Sequence, residues 1–175
     1  MTEKQEKILT AALELFAQEG YKVTSTSKVA RQAAVSEGLI FRHFKNKEGL
    51  LDAIMKEGEK RAKLLFADIV LETDPKTVIL KTLEMGIKTV QNQSESNFWK
   101  LQYKIKWELE EYNAHKVEPL LYALVRAFEK LNYPEPEFEA NSLMILIDGL
   151  AMRYFLDQQF EIDGQIEFLK RKYNL

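Results

Sequence analysis

The 175-residue sequence predicts an all-α protein, and three observations carry that expectation. Apolar residues recur with a helical period of 3.6 along the whole chain. No segment alternates apolar and polar residues as a half-buried strand would. Glycine and proline are few, seven and four, and most stand where a helix would start or stop. About nine helices follow.

Thr2-x-x-Gln5 has the spacing of a capping box and opens the first helix. Ile8, Leu9, Ala12, Leu13, Leu15 and Phe16 form its apolar face, and Gly20 ends it. Ser25 or Thr26 caps a short second helix that turns Val29, Ala30 and Ala33 inward. Ala34-Val35-Ser36 is a tight turn, with Ser36 as the cap of a third helix. Asn46 caps a fourth, from Lys47 to about residue 72.

Asp74-Pro75 couples a cap to a proline at the first helical position and starts a fifth helix reaching about 92. The polar run QNQSESN reads as a loop, and a sixth helix is expected over about 97–112. Pro119 starts a seventh that ends near Asn132. NYPEPE is a rigid turn before an eighth helix, about 137–159, with the most apolar run in the chain. Asp163 is expected to cap a short ninth.

Composition narrows the function classes. With no cysteine, disulfides and thiolate zinc sites are excluded. No apolar run approaches the roughly 18 residues needed to span a bilayer, and the charged N-terminus is unlike a secretory signal. A cytoplasmic protein with no membrane partner is expected. The two histidines stand at 43 and 115, so no local His-His metal motif exists; Glu111 and His115 share a helix face but make only a pair. Dinucleotide, Walker and nucleophile-elbow motifs are missing. No catalytic residue, metal or cofactor is expected, and the protein is read as a non-enzyme.

The formal net charge is −2, yet its distribution is uneven. Residues 1–50 hold eight Lys/Arg against six Asp/Glu; the remainder holds 17 against 21. An electropositive head on an acidic body is compatible with DNA binding.

Residues 26–44 have the outline of a helix-turn-helix, whose second helix enters the DNA major groove. The outline alone also suits three plain core helices. On a helical wheel, Ile40 and Phe44 stack on one side and face the core. Gly38, Leu39 and Arg42 point the other way, with Phe41 and His43 on the flanks. Glycine permits close backbone approach, leucine can touch a thymine methyl, and arginine can pair with guanine or phosphate.

The segment ILTAALELFAQEGYKVTSTSKVARQAAVSEGLIFRHFKNKEGLLDAIM, residues 8–55, resembles the N-terminal domain of the TetR (tetracycline repressor-like) family of bacterial regulators. The shared features are Ala11, Ala12 and Phe16, Gly20-Tyr21, Val29-Ala30 and Ala34-Val35-Ser36. They continue through Gly38, Phe41, His43-Phe44, Lys45-x-Lys47-Glu48 and Leu50-Leu51.

The resemblance implies a helix-turn-helix DNA-binding domain over 1–46 and a helical effector-binding and dimerisation domain over 47–175. It implies a homodimer on a pseudo-palindromic double-stranded operator, acting as a repressor modulated by a small molecule. By position, Ser25, Thr26, Ser27 and Lys47 would hold phosphates. Ser36, Glu37, Gly38, Leu39, Phe41, Arg42 and His43 would lie at bases or backbone. Three positions depart from the family. Alanine replaces the usual glycine at 34, phenylalanine the usual tyrosine at 41, and Glu37 stands where a basic or neutral residue is more usual. A helical small-molecule-binding or interaction protein with a degenerate head is the alternative that these departures keep open.

In the body, Phe98, Leu101, Ile105, Leu109 and Tyr112 form one stripe, and Trp99, Tyr103 and Trp107 a second. Two stripes predict burial against two neighbours, or against a neighbour and an apolar effector pocket. Trp99, Gln102, Tyr103, Trp107, Met144 and Asp148 are the candidate pocket residues, for a largely apolar effector, with Met85 and Met152 as further adaptable side chains and Asn113 and His115 nearby. Gly149, Met152, Arg153 and Leu156 are the candidate dimer interface, where Gly149 allows close helix approach.

Overall fold

The computed structural model describes residues 1–110, 117–157 and 159–175, with the backbone alone at 93 and 94. Among them nine α-helices follow in order: α1 (Glu3–Glu19), α2 (Thr26–Gln32), α3 (Glu37–Phe44), α4 (Lys47–Val70), α5 (Pro75–Gln91), α6 (Gln93–Glu108), α7 (Glu118–Lys130), α8 (Pro136–Leu156) and α9 (Ile162–Lys172). The described residues contain no strand, so the fold is all-α as expected.

The helix starts follow local chemistry. The Thr2 hydroxyl accepts from the Gln5 N–H at 3.3 Å, while the Gln5 side-chain oxygen accepts from the Thr2 N–H at 2.8 Å. Both bonds of the capping box therefore form. Asp74 accepts from the Thr77 N–H at 2.8 Å in front of Pro75. Asn46 accepts from the Gly49 N–H at 2.7 Å and opens α4.

Two expectations are corrected. QNQSESN is not a loop: Asn92 alone breaks the helix, with φ −73° and ψ 113°, and α6 starts at Gln93 and ends at Glu108. The Asn92 carbonyl accepts from the Glu95 and Ser96 N–H groups. Polar composition suggested a loop, yet asparagine is a favoured cap and Gln and Glu are good helix formers. Asp163 is not a cap either, since α9 already starts at Ile162. It sits in the first turn, where its charge suits the helix dipole, and accepts from Gln91 at 3.2 Å.

The chain packs as two compact units, Met1–Ala62 with Asn97–Glu111, and Lys63–Ser96 with Tyr112–Leu175. The first is centred on Ile8, Phe16, Val29, Ile40, Leu50 and Leu101, all without exposure. Within it, α6 meets α4 closely at Gly58. A Cβ there would lie 1.8 Å from the Phe98 ring, so the ring occupies the place of a side chain. Glycine inside a helix costs about 1 kcal/mol relative to alanine, and burial of Phe98 offsets this.

The second unit packs Ile79, Leu83, Leu120, Leu124, Phe128 and Leu143. Tyr173 seals one end, its ring 5.6 Å from Phe128. Burial, reinforced by the neighbouring Glu139, pushes the Tyr173 hydroxyl up to about 12. No described helix is long and apolar enough to cross a membrane.

The two-sided burial expected of α6 is only half present. Phe98, Leu101 and Ile105 are buried, but Trp107 is 78% exposed. At 100° per residue Trp107 lies roughly 200° round the helix from Ile105, on the side away from that core. Tyr112 of the first stripe lies outside the described residues.

Candidate nucleic-acid interface

The turn between α2 and α3 is built on a backbone reversal at Ala34, whose φ is +53°. A left-handed alanine costs about 1 kcal/mol, and the neighbouring contacts hold it in place. The Ala34 N–H donates to the Arg31 carbonyl at 3.2 Å and the Val35 N–H to the Ala30 carbonyl at 3.0 Å. Val35 then packs onto the first core, which fixes the direction in which α3 leaves. Ser36 starts α3 through its carbonyl, which accepts from Leu39 N–H at 3.0 Å. Its hydroxyl makes no cap bond and stays on the surface.

α3 is anchored by Ile40, which has no exposure, and by half-buried Phe44. Its outward face consists of Gly38, Phe41 and Arg42. A Cβ on Gly38 would meet nothing within 4 Å among the described residues, and Phe41 is 48% exposed. Leu39 departs from the expected outward position: it is half-buried and packs against the core beside Ile40. An eight-residue helix lying on a small core covers more than a narrow stripe, and an apolar flank is drawn into that contact.

His43 is half-buried and tied to α1. Its Nδ1 lies 3.4 Å from Gln5 Nε2. Because the Gln5 side-chain oxygen is taken by the Thr2 N–H, the amide nitrogen is the group that faces the ring. Nδ1 therefore accepts, the ring proton sits on Nε2, and Nε2 is left as a donor.

Among the other expected contacts, Ser25 and Ser27 are exposed, and Ser25 accepts from the Lys28 N–H at 3.2 Å as the cap of α2. Thr26 donates its hydroxyl to Glu37 Oε1 at 2.6 Å. Lys47 is turned inward. Its ammonium donates to the carbonyls of Tyr21, Lys22 and Thr24 at 3.0, 3.2 and 3.2 Å, and lies 4.5 Å from the centre of the Tyr21 ring. Glu108 faces the same loop and accepts from the Tyr21 and Lys22 N–H groups at 3.2 and 2.9 Å. Sequence reasoning found Gln5 only as a cap partner of Thr2 and missed its contact with His43, and it missed Glu108 altogether, because these partners lie 38 and 86–87 positions away with no periodic signal between them.

The candidate pocket residues divide between the units. Trp99, Gln102, Tyr103 and Trp107 belong to the first, Met144 and Asp148 to the second. Gln102 donates to the Met55 sulfur at 3.0 Å, and the indole N–H of Trp99 is buried with no partner among the described residues. Met144 packs on the second core, and Asp148 is exposed. A cavity in the first unit lies between α1, α4 and α6, lined by Leu9, Leu13, Ile54, Gly58, Arg61 and Phe98 among others; none of the six candidates lines it. Asn113, His115 and the Glu111–His115 pair lie outside the described residues.

The candidate dimer residues share one side of α8. Among the described residues Gly149 has nothing within 4 Å of a Cβ, Met152 is 40% and Leu156 81% exposed, and Ile145 continues the stripe at 70%. Arg153 pairs with Asp157 at 3.8 Å and lies over the Phe160 ring.

Residues 8–54 match the family model described as bacterial regulatory proteins, tetR family. The chain is 44% identical over 57 residues to the uncharacterized HTH-type transcriptional regulator YvkB of Bacillus subtilis (strain 168), which is 33% of this chain and 30% of that protein. It is also 44% identical over 54 residues to the fatty acid metabolism regulator protein of the same organism, 31% of this chain and 28% of that one. The matched region thus spans less than a third of these relatives' length. Over 98% of this chain and 95% of the other, the fold is that of a putative transcriptional regulator from Saccharomonospora viridis solved in complex with choline (TM-score 0.79, 18% identity).

Proposed function

We propose, from the match of residues 8–54 to the tetR family of bacterial regulatory proteins, that this chain is a sequence-specific transcriptional regulator. It binds operator DNA as a homodimer and acts as a repressor that a small, largely apolar effector modulates. The reading rests above all on one observation: α3 is fixed by buried Ile40 and presents Gly38, Phe41 and Arg42 to solvent. A short helix held by its back and bare on its front suits a major groove.

Roles follow from exposure. Arg42 reads a base edge or grips a phosphate. Gly38 lets the backbone come close, and Phe41 makes an apolar contact. The Ser25, Ser27 and Ser36 hydroxyls and His43 Nε2 donate to phosphates. Thr26 and Glu37 act as a pair, with the carboxylate holding the hydroxyl. The functional division is a DNA-binding domain over 1–46 and an effector-binding and dimerisation domain over 47–175. The Ile145–Gly149–Met152–Leu156 side of α8 meets its copy about a two-fold axis, which sets two reading heads roughly one DNA turn apart, about 34 Å. An effector that favours one conformation needs only about 1–3 kcal/mol of coupling to change occupancy. Such a protein works in the cytoplasm.

The test is a gel shift with the DNA upstream of the protein's own gene, run beside a scrambled duplex at low and moderate salt. A specific shift that steepens as salt falls is expected. A folded protein that shifts neither duplex at low salt overturns the proposal.

A further inference from the structure

The loop Gly20–Thr24 joins α1 to α2 and therefore sets where the helix-turn-helix begins. Side chains from two other helices of the same unit hold its backbone. On one side the Lys47 ammonium, at the first residue of α4, spends its three N–H bonds on the Tyr21, Lys22 and Thr24 carbonyls. On the other side the Glu108 carboxylate, at the last residue of α6, accepts from the Tyr21 and Lys22 N–H groups. One turn earlier on α6, Lys104 donates to the Gln18 carbonyl at 2.7 Å, at the C-terminal end of α1.

Gly20 makes the approach of Glu108 possible. Its φ is +110°, and a Cβ would lie 2.7 Å from the carboxylate oxygen. Thr24, 1% exposed, closes the loop by donating its hydroxyl to the Gly20 carbonyl at 2.7 Å. A free loop would not offer two adjacent N–H groups to one carboxylate and three carbonyls to one ammonium. These are charge-assisted bonds, roughly twice as strong as neutral ones.

We propose that this loop is a latch held from α6. Glu108 and Lys104 are positioning residues that hold the entrance to α2, and Lys47 is the loop's own cation rather than a ligand of DNA phosphate. Loss of the Glu108 contact frees the Tyr21 and Lys22 N–H groups, loosens the start of α2 and lowers DNA affinity without touching the reading face.

The latch rests on the DNA-binding reading, and its test separates the two. Full-length wild type, Glu108→Ala, Glu108→Gln and Lys47→Ala are compared by amide exchange at Tyr21 and Lys22 and by DNA titration over a salt series. Glu108→Ala is expected to exchange these two amides at least about tenfold faster and to bind DNA roughly tenfold more weakly, as the loss of a charge-assisted pair implies. Glu108→Gln, which keeps one acceptor, falls between. The salt slope of Lys47→Ala is expected to match wild type, because no phosphate contact is lost; a lost contact flattens it by about 0.9.

Unchanged exchange in Glu108→Ala overturns the latch, as does wild-type or stronger DNA binding by a variant whose amides exchange faster. A flattened slope in Lys47→Ala overturns the role given to Lys47. If wild type binds no DNA, the functional proposal fails, and the amide exchange alone decides whether Glu108 holds the loop.

Discussion

Thr26 Oγ1 donates to Glu37 Oε1 across 2.6 Å, joining the first residue of α2 to the first residue of α3. The bond gives an unusual acidic residue a structural task, and it engages the proton of the threonine hydroxyl. It leaves the carboxylate charge beside a surface offered to phosphates.

Glu37→Gln is therefore expected to strengthen DNA binding. Glutamine keeps an acceptor for Thr26 and removes a like-charge repulsion worth roughly 1 kcal/mol at low salt, less as salt rises. Titrations of one duplex at two salt concentrations check this. Equal or weaker binding would mean that the carboxylate accepts from a base donor such as cytosine N4.

Arg42→Ala should cost about 1–3 kcal/mol of specific binding while leaving a scrambled duplex much less affected. Affinities for the two duplexes at fixed salt decide it. Equal losses on both would make Arg42 a phosphate contact, and no loss on either would remove it from the interface.

Ala34→Gly should stabilise the folded chain. At a φ of +53° glycine relieves a left-handed strain of about 1 kcal/mol, set against a smaller gain in unfolded-chain entropy. The expected sign is a higher urea midpoint at unchanged slope. A lower midpoint would show that the neighbouring contacts leave no strain to relieve.

Glu72 links stability to pH. Its carboxylate accepts from the Asp74 and Thr73 N–H groups and pairs with Lys81 at 3.0 Å, which holds its pKa down at about 2. A depressed carboxylate stabilises the fold above its unfolded pKa, near 4.5, and this is lost as pH falls towards 2. Wild type is expected to be more stable than Glu72→Gln at neutral pH, with the two converging near pH 2. Melting curves across that range test it, and a constant difference throughout would assign the effect to packing.

Leu156→Asp, at the exposed end of the α8 stripe, should disrupt self-association without unfolding the protein. A buried unpaired carboxylate at a two-fold contact is strongly unfavourable. Sedimentation at micromolar concentration should show a dimer for wild type and a monomer for the variant. A dimeric variant would move the interface elsewhere.

What was legible in the sequence was local. Thr2-x-x-Gln5, Asp74-Pro75 and Asn46 announce helices because a cap and its helix lie within a few residues of each other. The wheel of α3 placed Ile40 inside and Gly38 and Arg42 outside for the same reason. Asn92 misled because polar composition marks loops and helix surfaces alike. Lys47 and Glu108 were opaque for a different cause. A charged side chain reads as a surface group until the fold brings backbone carbonyls or N–H groups to it, and these arrive from 23 to 87 positions away.

The packing of Phe98 into Gly58 reaches beyond this one molecule. A ring seated where a Cβ would be leaves no room for a side chain at 58 unless position 98 shrinks or the ring moves. The two sites form a lock-and-key pair across α4 and α6, so descendants of this sequence should exchange them together. A lineage with alanine or serine at 58 and an aromatic still at 98 must have turned the ring aside or shifted α6 against α4.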